Sequence, residues 1–285
     1  MRMATIITVY KQPQLVERLI KTMQYKDGFD FYLHIDKKID IAPFLYLAKL
    51  PNTYLVQKRV TVHWAGYSFI EAVLNSMDQI FASGIKYDFI NHMSGQCYPI
   101  KPLSVIYDYY DQRKSNNFFA SESPPTEWWN DAAMRYKEYH LFDYGFKGSY
   151  RLGRIATTLL PERKLPFANT LYGGAFGAYW TMSREGADYV HHYLRTEKKV
   201  RSFFKKSWGP DEFLFNTLMM ASPLKDTVIN DNHRLIDWSA GGWHPAVFQA
   251  KDIDKLMASE KFIARKFDLT VDSKILDLID AKILS

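Results

Sequence analysis

The chain has 285 residues, 47% hydrophobic and 24% charged, a balance that excludes a disordered or fibrous protein and suits one large domain, with or without a small appendage. The 37 Lys and Arg against 31 Asp and Glu give a net charge of +6, which favours an anionic ligand, such as a phosphate-bearing substrate or an acidic membrane surface, without calling for nucleic acid. Cys97 is the only cysteine, so no intrachain disulfide can form and a reduced, cytoplasmic setting is expected.

Strand and helix signals alternate through the first hundred residues. The apolar run Ile6 to Val9 is too short for a signal peptide or anchor and reads as a buried strand. Leu15, Val16, Leu19, Ile20 and Met23 then fall on one helix face. Phe31 to Ile35 is a second strand ending at Asp36, followed by a helix around Phe44 to Leu50 and a short strand at Tyr54 to Val56. Ser68 and Glu71 have capping-box spacing ahead of an apolar stripe of Ile70, Val73, Leu74, Met77, Ile80 and Phe81, with Gly84 as the stop. Tyr87 to Asn91 is the next strand. The order is that of an α/β protein with a mostly parallel sheet covered by helices, whose ligands sit beyond the carboxyl ends of the strands. Asp36 and the segment Ser94 to Lys101 are thereby expected at the rim of a pocket.

From Ser115 to Leu165 the rhythm stops and the chain becomes polar, basic and aromatic. Ser123 to Trp129 is loop-like, and Arg135 to His140 has the pattern of an exposed ribbon or helix. An acceptor-binding region and an ordinary insertion both fit. Regular structure resumes near Gly173; Arg184 to Arg195 is helical, and Pro210-Asp211-Glu212 opens a helix carrying Phe213, Leu214, Thr217, Leu218 and Met219. The 19 Tyr, 19 Phe and 7 Trp either fill a large core or line a carbohydrate cleft, where a ring covers the C–H face of a sugar and the polar tip stays hydrated.

No metal site is expected. The one Asp-x-Asp, Asp252-Ile253-Asp254, opens an amphipathic helix and reads as a cap and first-turn acid. His191 and His192 are adjacent on a helix and diverge. Phosphate-loop, dinucleotide and nucleophile-elbow glycine patterns are missing. Three polar clusters remain: His34 to Lys38 at a strand end, Pro210 to Glu212 at a helix start, and Ala264 to Asp268 near the C-terminus. Taken singly they are equally a turn-capping acid, first-turn carboxylates and a solvated basic pair.

In this order, together with Trp64-Ala65-Gly66-Tyr67-Ser68, Phe89 to Lys101 and Gly177 to Glu185, they resemble glycosyltransferase family 14, the core-2/I-branching β-1,6-N-acetylglucosaminyltransferases and peptide O-xylosyltransferases. The resemblance runs from about Ala4 to Asp268. It implies a GT-A-like fold in a single domain, with a donor half over about 1–114 and an acceptor-side, catalytic half over about 115–285. It also implies a UDP-sugar co-substrate, inversion at the anomeric carbon and no metal or other cofactor.

Site residues follow from the same resemblance. Glu212 matches the catalytic base, and Lys266, with Arg265 beside it, matches the residues that hold the donor diphosphate. Such cations can neutralise a leaving diphosphate in place of a metal. Asp36, with His34, lies where relatives recognise the nucleotide; Trp64 and Gly66 match a donor-side turn; Tyr179, Trp180 and Asp211 fall on the acceptor side. The family's Ser-Gly-Gln-Asp-Tyr-Pro pattern carries Cys97 in place of the acid, and Ala178-Tyr179 replaces the usual pair before Trp180. The arginine that branching enzymes place ahead of their lysine is missing, leaving Arg265 or Arg234 to supply that charge. The expected partners are a UDP-sugar carrying N-acetylglucosamine or xylose and a carbohydrate or glycolipid acceptor, with peripheral contact at the inner face of a membrane. The alternatives are a non-catalytic carbohydrate-binding relative, and a glycoside hydrolase, for which Asp211 and Glu212 point too far apart.

Overall fold

The computed structural model describes residues 1–239, 241 and 244–284. Its central strand, β1 (Met3–Val9), is buried along nearly all its length. An uninterrupted apolar strand of this kind needs cover on both faces, which crossover helices provide. β1 pairs in parallel with β2 (Phe29–Ile35) on one side and β4 (Phe89–Ser94) on the other, with Ile7 opposite both Leu33 and Met93. β3 (Thr53–Leu55) extends the parallel set beyond β2. The far half is completed by β7 (Thr181–Ser183), antiparallel to β4, then β6 (Asn117–Phe118) and β8 (Val228–Ile229), giving the order β3-β2-β1-β4-β7-β6-β8. This is the mostly parallel α/β arrangement expected. The proposed donor and acceptor halves share one sheet.

Helix α1 (Pro13–Thr22) starts with proline at its first turn and buries Leu15, Val16, Leu19 and Ile20. On the other face α2 (Ser68–Ala82) buries Ile70, Val73, Leu74, Met77 and Ile80. Its Gly84 has φ +72°, the left-handed conformation of a helix stop. The capping box does not form. Ser68 Oγ instead donates to Asp143 Oδ1 at 2.6 Å, the Asp143 carboxylate accepts the Ser68 N–H, and Glu71 pairs with Arg195. A carboxylate brought from 75 residues away satisfies the helix terminus, so the local partner is not needed.

Further departures lie in less regular stretches. Ala42–Lys49 is a 3-10 helix. The stretch Ser123 to Trp129, read as loop-like, instead starts a helix at Glu127, and of the ribbon or helix expected over Arg135 to His140 the helix forms as far as Lys137: α3 (Leu103–Asp111) is followed by α4 (Glu127–Lys137), which carries Trp128, Trp129 and Arg135. The helix α5 (Ser149–Leu159) follows. Pro210–Glu212 is a separate 3-10 turn, cut from α8 (Leu214–Met220) by Phe213 at φ −144°. Between them lie α6 (Arg184–Thr196) and α7 (Lys198–Phe204). Asp252 acts as expected at a helix start, its carboxylate accepting the Gln249 N–H at 2.9 Å ahead of α9 (Ile253–Ala258).

A second sheet joins β5 (Cys97–Pro99), β10 (Ile263–Arg265) and β9 (Arg234–Ile236), returning the C-terminal part of the chain to the end of β4. The last helix, α10 (Lys274–Ile283), is fixed to α1 by Arg18, which reaches Asp277 at 2.7 Å and Asp280 at 2.6 Å.

Arg234 departs from expectation. It is 4% exposed, and its guanidinium donates to Asn91 Oδ1, the Asn232 carbonyl, Thr181 Oγ1 at 3.2 Å and the His92 carbonyl at 3.2 Å. Those acceptors sit where β4 and β7 separate, so Arg234 braces the sheet instead of facing a diphosphate. Arg234→Leu, which leaves several buried acceptors unpaired, is expected to destabilise the fold by about 3 kcal/mol, read as a lower urea midpoint; an unchanged midpoint would remove the brace.

Candidate active site

Two groups of side chains meet beyond the carboxyl ends of β1, β2 and β4. The first is cationic. Arg265 ends β10, donates to Ser94 Oγ and lies over the Tyr179 ring, 5.1 Å from its centroid. Lys266 follows it, and Gln96 pins this segment to the β4–β5 turn by accepting the Phe267 N–H at 2.9 Å and donating to the Phe267 carbonyl at 3.1 Å. Lys11, just past β1, pairs with Asp268 at 2.6 Å. Asp268 is also held by Gln12 and Thr270, and despite partial burial these donors keep its carboxyl well below the usual range. Burial, Arg265 and Lys11 lower the pKa of Lys266. Among the described residues its ammonium makes no ion pair or hydrogen bond, and Arg265 has no carboxylate partner. Asp268, already paired with Lys11, is the one acid whose charge acts on Lys266, and two adjacent cations so weakly opposed favour a further anion.

The second group is acidic. The Glu212 carboxylate keeps 24% exposure, and its Oε2 accepts from Trp128 Nε1 at 2.7 Å and forms an ion pair with Arg135 Nη1 at 2.8 Å. Trp128 and Arg135 are seven residues apart on α4 and so project from one face. Arg135 is sandwiched by rings, 4.5 Å from the Trp208 centroid and 5.2 Å from that of Trp128. Burial raises the Glu212 pKa, with Arg135 and Trp128 opposing it. Asp211 is also raised, by burial and then by the adjacent Glu212 charge. Glu212 Oε1 makes no hydrogen bond among the described residues and is the oxygen left for a ligand.

Close backbone packing places this turn. Gly174 N–H donates to the Glu212 carbonyl at 3.2 Å, and a Cβ on Gly177 would fall 2.2 Å from that oxygen. Gly209 N–H donates to the Ala65 carbonyl at 2.8 Å, joining the Trp64 turn to the acidic one. Tyr179, 7% exposed, stands between the groups: both Arg265 and Asp211 act on its phenol, whose pKa burial pushes up to about 12.

The other expected residues separate into those at the rim and those beneath it. Trp64 is 60% exposed at the rim. Asp36 lies at the expected strand end, but its carboxylate accepts the Lys38 N–H at 2.9 Å and the Val62 N–H at 3.3 Å. His34 is buried within β2, where Nε2 accepts the Val60 N–H at 3.1 Å and burial lowers its pKa to about 4. It is a neutral core histidine that fastens the next loop, out of reach of a nucleotide. Gly66 is required by the Asp143 cap, since a Cβ there would lie 2.1 Å from Asp143 Oδ1. Trp180 is fully buried and cannot meet an acceptor. Among the described residues no group of three His, Cys, Asp or Glu could hold a metal ion. Ser94 lies in the segment expected at the rim, whereas Trp128, Arg135 and Lys11 were given no site role from sequence; the seven-residue spacing of Trp128 and Arg135 was the available signal for the first two.

Residues 3–259 match the family model described as core-2/I-branching enzyme. The chain belongs to that family. Relatives include xylosyltransferase oxt of Drosophila pseudoobscura pseudoobscura, 24% identical over 96% of this chain and 32% of its own length, and xylosyltransferase 2 of Homo sapiens, 24% identical over 98% and 33%. The chain thus spans about a third of these relatives. Among solved structures it overlaps mouse xyloside xylosyltransferase 1, apo form, at 11% identity, covering 92% of this chain and 96% of that one, with a TM-score of 0.38. It also overlaps Staphylococcus aureus TarS 1–349 in complex with UDP at 13% identity, covering 100% and 66%, with a TM-score of 0.40.

Removing a donor from a carboxylate destabilises its charged form. In Trp128→Phe, the proton affinity of Glu212 is expected to rise about tenfold, moving its carboxyl NMR titration to higher pH. An unmoved titration would make the 2.7 Å bond irrelevant to its charge.

Proposed function

We propose that this chain is an inverting, metal-independent glycosyltransferase. It moves a sugar, N-acetylglucosamine or xylose, from a UDP-sugar to a hydroxyl of a carbohydrate or glycolipid acceptor. The observation that carries the reading is Glu212, with one oxygen held by Trp128 and Arg135 and the other without a hydrogen bond among the described residues, together with Arg265 and Lys266, which make no ion pair among them. In this reading Glu212 Oε1 takes the proton of the acceptor hydroxyl as its oxygen attacks the anomeric carbon. The bond to the diphosphate breaks on the opposite face, and the cations receive the developing charge.

The acceptor is assigned to a cleft of about 620 Å³ lined in part by Glu122, whose charge acts on Glu212, although Glu212 itself does not line it. Trp129, Tyr136 and Tyr172 supply rings, while Glu122, Asn169 and Asn230 supply polar atoms. Helix α4 thus carries Trp128 towards the base and Trp129 towards the cleft. A cytoplasmic site at the inner face of a membrane belongs to the same proposal, supported by the +6 charge and the lone Cys97. Among the described residues no helix is long and apolar enough to cross a membrane.

Incubation with a panel of UDP-sugars, following UDP release, tests the reading. Glu212→Gln is expected to keep donor affinity and lower turnover roughly 10²–10⁴-fold; a folded variant working at the parent rate removes Glu212 from the mechanism.

A separate expectation concerns charge at the diphosphate. Activity should survive excess chelator, and Lys266→Ala should lose both UDP affinity and turnover without rescue by magnesium or manganese. Loss on chelation with recovery on one added divalent metal would overturn metal independence.

A further inference from the structure

Helix α5 is amphipathic in the wrong direction for a globular surface. It touches the rest of the chain through Gly153, where a Cβ would fall 2.5 Å from the Tyr139 carbonyl, and through Thr157, whose hydroxyl accepts the Tyr139 N–H at 3.0 Å. At about 100° per residue, Leu152, Ile155 and Leu159 lie nearly opposite that contact. They are 49%, 52% and 76% exposed. An apolar stripe normally turns inward, and a contiguous outward one marks a docking surface. Tyr144 and Phe146, also exposed, precede the helix, as aromatic residues do at a membrane–water boundary.

Charge identifies what covers it. From Tyr144 to Pro161 there is no Asp or Glu, while Lys147, Arg151 and Arg154 flank the stripe. Tyr144 also lines a cleft of about 620 Å³ whose other wall carries Lys198 and Arg201 of α7 and Lys205 just after it. Its two acids are already engaged, Glu71 by Arg195 and Asp143 by the start of α2, and those three cations have no ion pair among the described residues. A second copy meeting the stripe face to face would set Lys147, Arg151 and Arg154 against their own counterparts.

We infer that α5 and the adjoining basic cleft dock this chain on an anionic lipid bilayer. The helix lies in the interface with Leu152, Ile155 and Leu159 in the acyl boundary, while the cations of α5 and α7 meet lipid phosphates. Sedimentation with vesicles of mixed phosphatidylglycerol and phosphatidylcholine, against phosphatidylcholine alone, tests this without using any transfer activity. The parent is expected to bind the anionic vesicles. The triple variant Leu152→Ser, Ile155→Ser, Leu159→Ser should bind about tenfold or more weakly with an unchanged thermal melt, because these side chains pack on nothing inside. Arg151→Glu with Arg154→Glu should abolish the preference for anionic lipid. Equal binding by parent and triple variant would overturn the inference. So would a parent that ignores vesicles and sediments as a dimer which the triple variant dissolves.

Discussion

A half-buried carboxylate stays useful as a base only if the loss of water is offset without spending all of its acceptor capacity. At Glu212 that balance is set by an indole and a guanidinium on one helix face, both directed at one oxygen. Much of the surrounding geometry depends on it. Helix α4 must lie across the acidic turn, Arg135 must be clamped between two rings, and the glycines at 173 and 177 must let backbone press against the Glu212 carbonyl. The cost of burying the turn is met by hydrogen bonds from segments far apart in sequence, which is why it sits in a 3-10 turn that no local preference requires.

The cationic corner follows the opposite logic. Lys11, just past β1, has Asp268, and Lys38, just past β2, has Asp36. Among the described residues Arg265 and Lys266 make no ion pair. Cys97 bears on this, since it stands directly opposite Arg265 in the β5–β10 ladder. With cysteine at that position, Arg265 meets Cys97 and the Tyr179 ring and pairs with no carboxylate among the described residues.

The central strands were readable because a continuous apolar run followed by a 3.6-residue stripe has few other solutions. The positions of Glu212, Asp211, Arg265 and Lys266 were readable only through their order along the chain. What could not be read was reciprocity. Ser68 and Glu71 satisfy a local capping rule, yet Asp143 takes the helix start and Arg195 takes the glutamate. His34 entered the expected site through the family resemblance and Arg234 as a stand-in for the missing arginine, and only packing shows that one holds a loop while the other braces two strands. Trp128 was concealed by turn residues before it, although its partner lies 84 positions away.

The cap on α2 links distant parts of the molecule. Its first N–H group is closed by Asp143, and the same carboxylate leaves room beside it only for a glycine at Gly66, next to the Trp64 turn that touches Gly209. Local opening of the segment around Asp143 would therefore uncap a core helix and loosen the rim of the cleft in one event. Amide hydrogen exchange at Ser68 would then report on the attachment of a segment 75 residues downstream rather than on fraying of its own helix.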